Sequence, residues 1–279
     1  MRFFLFASVM AFAIHKGCAL RAGQDILAYT YKFGGQSEKA IDLVLSGPNK
    51  VSTSSSAYAK ALRAIESDLT GFRVWHAGST LCEYMVEHHA NLPQGPRVEL
   101  GSGLGMCGIT LAMLDAAADF EDAVYCTDRS LALLEHVNEN AELNCVGGRV
   151  QTLRLAWGSE NDLAELNKQM GTTPALVIGS DLVYALDALP DLMFTISMLD
   201  AELTLLSFRP RLVDPCHGSS EELTTLASLA ESAGWQMTTV LLDRPYDAAT
   251  MDEEGQEESR GLNANLSTDA SLVLALRRK

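Results

Sequence analysis

Residues Val98 to Gly105 read Val-Glu-Leu-Gly-Ser-Gly-Leu-Gly: an apolar run closes on an acid, Glu99, and three glycines then alternate with single residues at Gly101, Gly103 and Gly105. A helix-like pattern follows at once through Ile109, Leu111, Ala112 and Leu114. Glycine lets a backbone turn tightly and approach a ligand where a Cβ would collide. A buried strand feeding such a loop, then a helix whose free N–H groups face it, makes a nucleotide-type cradle at the carboxyl end of the strand. The spacing differs from the G-x-G-x-x-G fingerprint of dinucleotide-binding proteins, which points to a different adenosyl cofactor.

The acids and aromatics that end later apolar runs extend this chemistry. Asp128 lies 23 residues beyond Gly105, at the end of a second strand pattern. An acid there accepts ribose hydroxyls in a doubly wound sheet; it could equally be a helix N-cap, since Ser130 and Leu131 follow. The glycine loop upstream favours the ribose. Trp157, in Leu155-Ala156-Trp157-Gly158, sits where an aromatic can cover an adenine face, although a lone Trp is more often a core residue. Asp181 ends the fully apolar run 175–180, and a carboxylate at that rim needs a partner or solvent. Tyr184 follows three residues later and can turn back over the same mouth. Asp-x-x-Tyr alone is a weak pattern.

The elements that must position these residues alternate regularly from residue 72 onward. Helix patterns cover 81–89, 106–118, 130–143, 161–170, 186–199 and 221–233; strand patterns cover 97–100, 123–127, 150–155, 175–180, 203–208, 237–242 and 271–276. Such β-α alternation implies an α/β fold: a Rossmann-like, doubly wound, seven-stranded sheet, mostly parallel, with helices on both faces. The last two strands lack a helix between them, so the final one is expected antiparallel. Upstream, 29–33 and 41–45 flank Gly34-Gly35 and suggest a small hairpin, and 57–69 suggests a short helix. The organisation expected is residues 25–279 as one domain, with 25–70 as lead-in and 71–279 as core, behind an extension over 1–24.

That extension carries Arg2, an apolar stretch from Phe3 to Ile14 and the small-x-small triplet Ala11-Phe12-Ala13. It resembles a secretory h-region and is too short to span a bilayer comfortably, and with an adenosyl cofactor, scarce outside the cell, an organelle-targeting leader is the reading that keeps it. A packed N-terminal helix or a mis-assigned start are the other readings. The expected location is the cytoplasm, or an organelle if the leader is genuine. A net charge of −15 makes nucleic acid a poor partner. The six cysteines form no C-x-x-C pair, which fits a reducing compartment and no structural zinc. No metal site is expected: His88 and His89 are adjacent and face different directions on a helix, and His217 has no visible partner. Ser54 to Ser56 lies in no nucleophile-elbow context. The acidic stretch from Asp243 to Arg260 reads as a surface loop.

Taken together, Val74-Trp75, Glu99 to Gly105 with Gly108-Ile109, Thr127-Asp128, Trp157-Gly158 and Asp181 to Tyr184 resemble the class I, seven-β-strand methyltransferases that use S-adenosylmethionine. The nearest group is methyltransferase family 16, the methyltransferase-like protein-lysine methyltransferases. Asn138 and Asn140 also sit where that group tends to carry asparagine. The resemblance covers about residues 70 to 279. Two departures are Ala156, where the group usually has an acid, and the long acidic stretch. The resemblance implies in-line methyl transfer to a lysine amine, chiefly an orientation task. Free lysine has a pKa near 10.4, so deprotonation at neutral pH costs roughly 4–5 kcal/mol. In this reading Glu99 and the backbone of Gly101 to Gly105 hold the methionyl end, Asp128 the ribose and Trp157 the adenine side. Trp75 packs beside the cofactor. Asp181 and Tyr184 are the catalytic pair; Asp181 orients the amine or the cofactor, and Tyr184 walls the channel. The partner implied is a lysine-bearing protein, with no stable membrane insertion and a monomeric enzyme. Alternatives are a small-molecule or protein-histidine methyltransferase, and a non-catalytic cofactor-binding scaffold.

Overall fold

The structure is a computed structural model that describes residues 27–34, 40–47, 70–211, 220–243 and 271–279. The helix expected over 57–69, the extension over 1–24, His217 and the acidic stretch beyond Asp243 lie outside the described residues.

A hairpin of β1 (Leu27–Phe33) and β2 (Ile41–Gly47) precedes a seven-stranded sheet. The sheet comprises β3 (Arg97–Leu100), β4 (Val124–Asp128), β5 (Val150–Arg154), β6 (Leu176–Ser180), β7 (Leu203–Phe208), β8 (Trp235–Asp243) and β9 (Ser271–Arg278), in the order β5-β4-β3-β6-β7-β9-β8. Pairs among β3 to β7 are parallel. β9 lies between β7 and β8 and is antiparallel to both, as expected of the last strand. The chain moves outward through β3, β4 and β5, then returns to lay β6 on the other side of β3. Strand order reverses between β3 and β6, where sheets of this kind bind ligands at their carboxyl ends.

Side chains alternate faces along a strand, and the core divides accordingly. Leu176 and Ile178 of β6 join one cluster with Leu81 and Met85 of α1 (His76–His88), Ile109 and Leu111 of α2 (Met106–Ala117), Val137 of α3 (Leu131–Leu143) and Leu43 and Leu45 of β2. Val177, between them, joins a second cluster with Leu166 of α4 (Glu160–Met170), Ile196 of α5 (Leu189–Leu199) and Leu226 of α6 (Glu221–Ser232). Covered on both faces, the parallel strands are continuous apolar runs. The helix expected over 186–199 is a 3-10 turn at Leu186–Ala188 followed by α5, whose first turn holds Pro190; proline is tolerated there because that N–H has no intrahelical partner. α1 starts at His76 rather than Leu81, because its first turn is mostly small and polar and shows no apolar periodicity.

Two devices fix the unit that carries the glycine loop. At the start of β3, buried Arg97 pairs with Asp115 near the end of α2 at 3.1 Å, and His89 meets the same carboxylate at 2.7 Å. On the other side, Asn140 of α3 and Asn144, its C-cap residue, pair with the free edge of β2. Asn144 accepts from Val44 N at 2.8 Å and donates to Val44 O at 2.6 Å; Asn140 accepts from Ser46 N at 2.7 Å and donates to Ser46 O at 3.2 Å. Four helical residues rise about 6 Å and two strand residues about 6.6 Å, so one amide per helical turn meets alternate strand residues. Asn140 Nδ2 also donates to Leu104 O at 2.9 Å, linking the hairpin to the glycine loop.

Replacing Asn144 by Ala leaves the buried N–H and C=O of Val44 without these partners. The expected loss is about 2–4 kcal/mol in chemical denaturation; an unchanged midpoint contradicts the pairing.

Candidate functional site

A cleft of about 540 Å³ opens above the carboxyl ends of β3, β4, β5 and β6. Of the residues singled out from the sequence, Trp75, Glu99, Gly101, Gly103, Asp128, Trp157, Asp181 and Tyr184 all line it. Gly105 does not. It occupies the N-cap position of α2 in the left-handed region, packed toward Ile109 and Val137. Its place is in the turn into α2.

The glycine loop is built from β3 outward. Gly101 and Gly103 have φ of 59° and 54°, a region L side chains rarely adopt. Space closes the same positions: a Cβ at Gly101 would come within 2.7 Å of Leu182 Cδ2, and one at Gly103 within 2.8 Å of the Gly71 carbonyl oxygen. Ser102 donates its N–H to Thr127 O at 2.9 Å, and Gly103 donates its N–H to Asp128 Oδ2 at 3.1 Å. Asp128 Oδ1 accepts from Ser130 N at 3.0 Å, while Ser130 is the side-chain cap of α3. The carboxylate thus braces the loop and does not serve as the N-cap of α3. Burial pushes its pKa up, against these two amide hydrogen bonds.

Glu99 is 1% exposed and forms part of the cleft lining. Its Oε2 has no hydrogen-bond partner. Desolvation pushes the carboxyl up to about 7, with contacts to Cys126, Ser102 and Gly108 acting the other way. On the β5 side, Trp157 stands half-buried beside Gly101. Its turn is pinned from both flanks, because Ala156 donates its N–H to Asp162 Oδ2 at 2.9 Å and Gly158 donates to Thr195 Oγ1 at 2.9 Å. Ala156 itself lines the cleft. Where family resemblance places an acid at this position, the nearby carboxylate comes from α4.

The mouth is formed by Trp75, Asp181, Tyr184 and a residue the sequence reading missed, Arg211. Asp181 has φ of 56°, a conformation that costs a non-glycine residue about 1–2 kcal/mol. Its N–H donates to Ser207 O at 2.7 Å, holding that turn against β7. Arg211 Nη2 donates to Asp181 Oδ1 at 3.1 Å, and the guanidinium carbon lies 5.6 Å from the ring centres of both Trp75 and Tyr184. Burial raises the Asp181 pKa, opposed mainly by Arg211. Trp75 and Tyr184 are 37% and 47% exposed, unusual for large aromatics and consistent with a surface that receives something. The signal for Arg211 was its position just after β7, in Arg-Pro-Arg, at the same sheet edge as Asp128 and Asp181.

These residues fit the S-adenosylmethionine expected from the sequence. Glu99 and Asp128 bring carboxylates to the cleft lining, one for an ammonium and one for hydroxyl donors, and the positive-φ backbone of Gly101 and Gly103 lines it between them. Among the described residues no helix is long and apolar enough to cross a membrane.

A family model described as lysine methyltransferase matches residues 60–214. Over 142 residues the chain is 31% identical to Protein N-lysine methyltransferase METTL21A of Xenopus tropicalis, a match covering 50% of this chain and 60% of that protein. It is 35% identical over 143 residues to the protein of the same name from Danio rerio, with the same coverage. Protein-lysine N-methyltransferase EFM6 of Saccharomyces cerevisiae is 35% identical over 136 residues, covering 43% of this chain and 54% of that protein. The matches thus span 54–60% of these relatives' length.

An ammonium that pairs with Glu99 favours its ionised form. A carboxyl at about 7 in the free protein and lower in the complex loses a proton on binding, so affinity rises as pH rises through the free value. Calorimetry with S-adenosylhomocysteine should show affinity falling by up to about tenfold between pH 7 and pH 6. Glu99→Gln should flatten that slope and weaken binding at pH 8 by about 10- to 100-fold. Equal wild-type affinity at both pH values contradicts the role given to Glu99.

Proposed function

Because the chain belongs to the lysine methyltransferase family, whose model matches residues 60–214, we propose that it transfers the methyl group of S-adenosylmethionine to a lysine side chain of a protein. The observation that carries this reading is one continuous cleft with Glu99 and Asp128 along its floor and rim and Asp181 and Tyr184 at its mouth. Relatives named as protein N-lysine methyltransferases support a protein acceptor.

Glu99 and the glycine-loop backbone hold the methionyl end, Asp128 the ribose and Trp157 the adenine side. When bound, the cofactor supplies an electrophilic methyl group on a sulfonium. The chain's own residues then have one task, to hold an amine in line with it. With the donor bound, the amine lone pair would form the new N–C bond as the C–S bond breaks, the lysine proton having gone to water beforehand. Asp181, backed by β7 through Ser207, orients the incoming amine, and Tyr184 and Trp75 flank its alkyl stem. The exposed rings of Trp75 and Tyr184 suit a residue presented on a protein surface.

Incubation with tritiated S-adenosylmethionine and cell extract, followed by acid hydrolysis, should return label as methyl-lysine. Label on histidine or in small metabolites would favour the other acceptor classes, and donor binding without any transfer would favour a scaffold. Asp181→Ala should lower transfer at least about 100-fold, as expected when a group orienting the reacting atom is lost. S-adenosylhomocysteine affinity should change by less than about tenfold. Equal losses in both contradict an orienting role for Asp181.

A further inference from the structure

A second cleft of about 390 Å³ adjoins the first and is lined by Trp75, His76, Ala77, Asp181, Arg209, Pro210 and Arg211. The two clefts share Trp75, Asp181 and Arg211. These three residues form the junction of the two clefts. Arg211 is fixed there at both ends. Its backbone N–H donates to Glu222 Oε1 at 3.0 Å, and buried Glu222 is in turn held by the Ser220 hydroxyl at 2.7 Å. Its guanidinium is bound to Asp181 and lies against both Trp75 and Tyr184, with the side chain still 38% exposed.

The arrangement resolves a conflict in the chemistry. A lone carboxylate beside an amine raises the amine pKa and favours the ammonium, which cannot attack a methyl group. Asp181 is not alone: a guanidinium, which stays charged throughout the accessible pH range, is bound to it. The other charged and titratable groups around the junction come from several elements. Arg209 follows β7, His76 opens α1, Arg73 lies over Trp75 at 5.9 Å, Asp191 comes from α5 and Glu222 from α6. The Tyr184 ring lies 5.6 Å from the guanidinium carbon, and Asp128 and Glu99 line the first cleft.

Resting on the lysine-methylation reading above, we propose that Arg211 is a positioning residue for methyl transfer: it neutralises Asp181 at the junction of the two clefts, so that the acceptor lysine is oriented by the carboxylate yet held as the free amine. The proton leaves through the second cleft to solvent before attack. The N–CH3 bond then forms as the S–CH3 bond breaks, and the positive charge passes from sulfur to the methylated nitrogen. Without Arg211 the carboxylate retains the lysine proton, and transfer requires a higher pH.

The test compares wild type, Arg211→Gln and Arg211→Lys in initial rates between pH 6.5 and 10. It uses tritiated S-adenosylmethionine, a fixed subsaturating amount of extract protein and methyl-lysine counted after hydrolysis. S-adenosylhomocysteine binding to each variant confirms an intact fold. Arg211→Gln is expected to move the acidic limb of the profile up by about one unit. It should lose about tenfold at pH 7.5 and recover near the alkaline plateau, while Arg211→Lys keeps the wild-type limb. A loss of equal size at every pH, or an unmoved limb, overturns the proposal. Wild-type protein that binds S-adenosylhomocysteine but labels no lysine at any pH overturns the lysine-methylation reading itself, and this inference with it.

Discussion

One carboxylate organises the cofactor-side half of the site. Asp128 reaches from the end of β4 to the amide of Gly103 with one oxygen and to the amide of Ser130 with the other. It thereby ties the loop after β3 to the turn that begins α3. The loop needs such a tie because three of its residues, Gly101, Gly103 and Gly105, have positive φ, and glycine loses more conformational freedom on ordering than any other residue. Neighbouring packing leaves little alternative, since Gly103 lies under the carbonyl of Gly71 and Gly101 under Leu182. Asn140 adds a second tie, from the hairpin edge to the carbonyl of Leu104. The cradle is thus pre-formed by hydrogen bonds from β4 and α3, which cuts the ordering cost of binding.

Charge is distributed so that each half of the cleft is prepared for a different partner. Glu99 is desolvated and leaves one oxygen unsatisfied. Burying a carboxylate this way costs free energy. Asp181 is buried but compensated by an arginine that is itself braced by two aromatic rings. One acid is thus desolvated at the floor of the cleft, and the other is paired with a guanidinium at its mouth.

Much of this was legible in the sequence because the signals were local. The fully apolar run of β6 reads as a buried parallel strand, and β6 pairs in parallel with both neighbours in the core of the sheet. The glycine loop and the acids ending β4 and β6 were found because each sits at the carboxyl end of its own apolar run. What was not legible depends on neighbours in space. Arg211 acquires its place only because β7 pairs with β6 and sets the two strand ends side by side, an adjacency no spacing records. Asn144 looks like a solvent-facing residue on an amphipathic helix, yet its partner Val44 lies 100 residues upstream. The alternative that Asp128 caps α3 failed for a local reason: Ser130, two residues on, supplies the cap. Gly105 matched the motif but turns the chain into α2 without facing the cleft.

The central claim is that the glycine loop, Glu99 and Asp128 hold the donor in one direction, with its sulfur toward Asp181 and Tyr184. A crystal structure of the complex with S-adenosylhomocysteine tests it most directly. The account predicts the ligand amino group on Glu99, the ribose hydroxyls on Asp128 and the sulfur facing the Asp181–Arg211 junction. A ligand bound in the opposite sense, or seated away from the glycine loop, would contradict it.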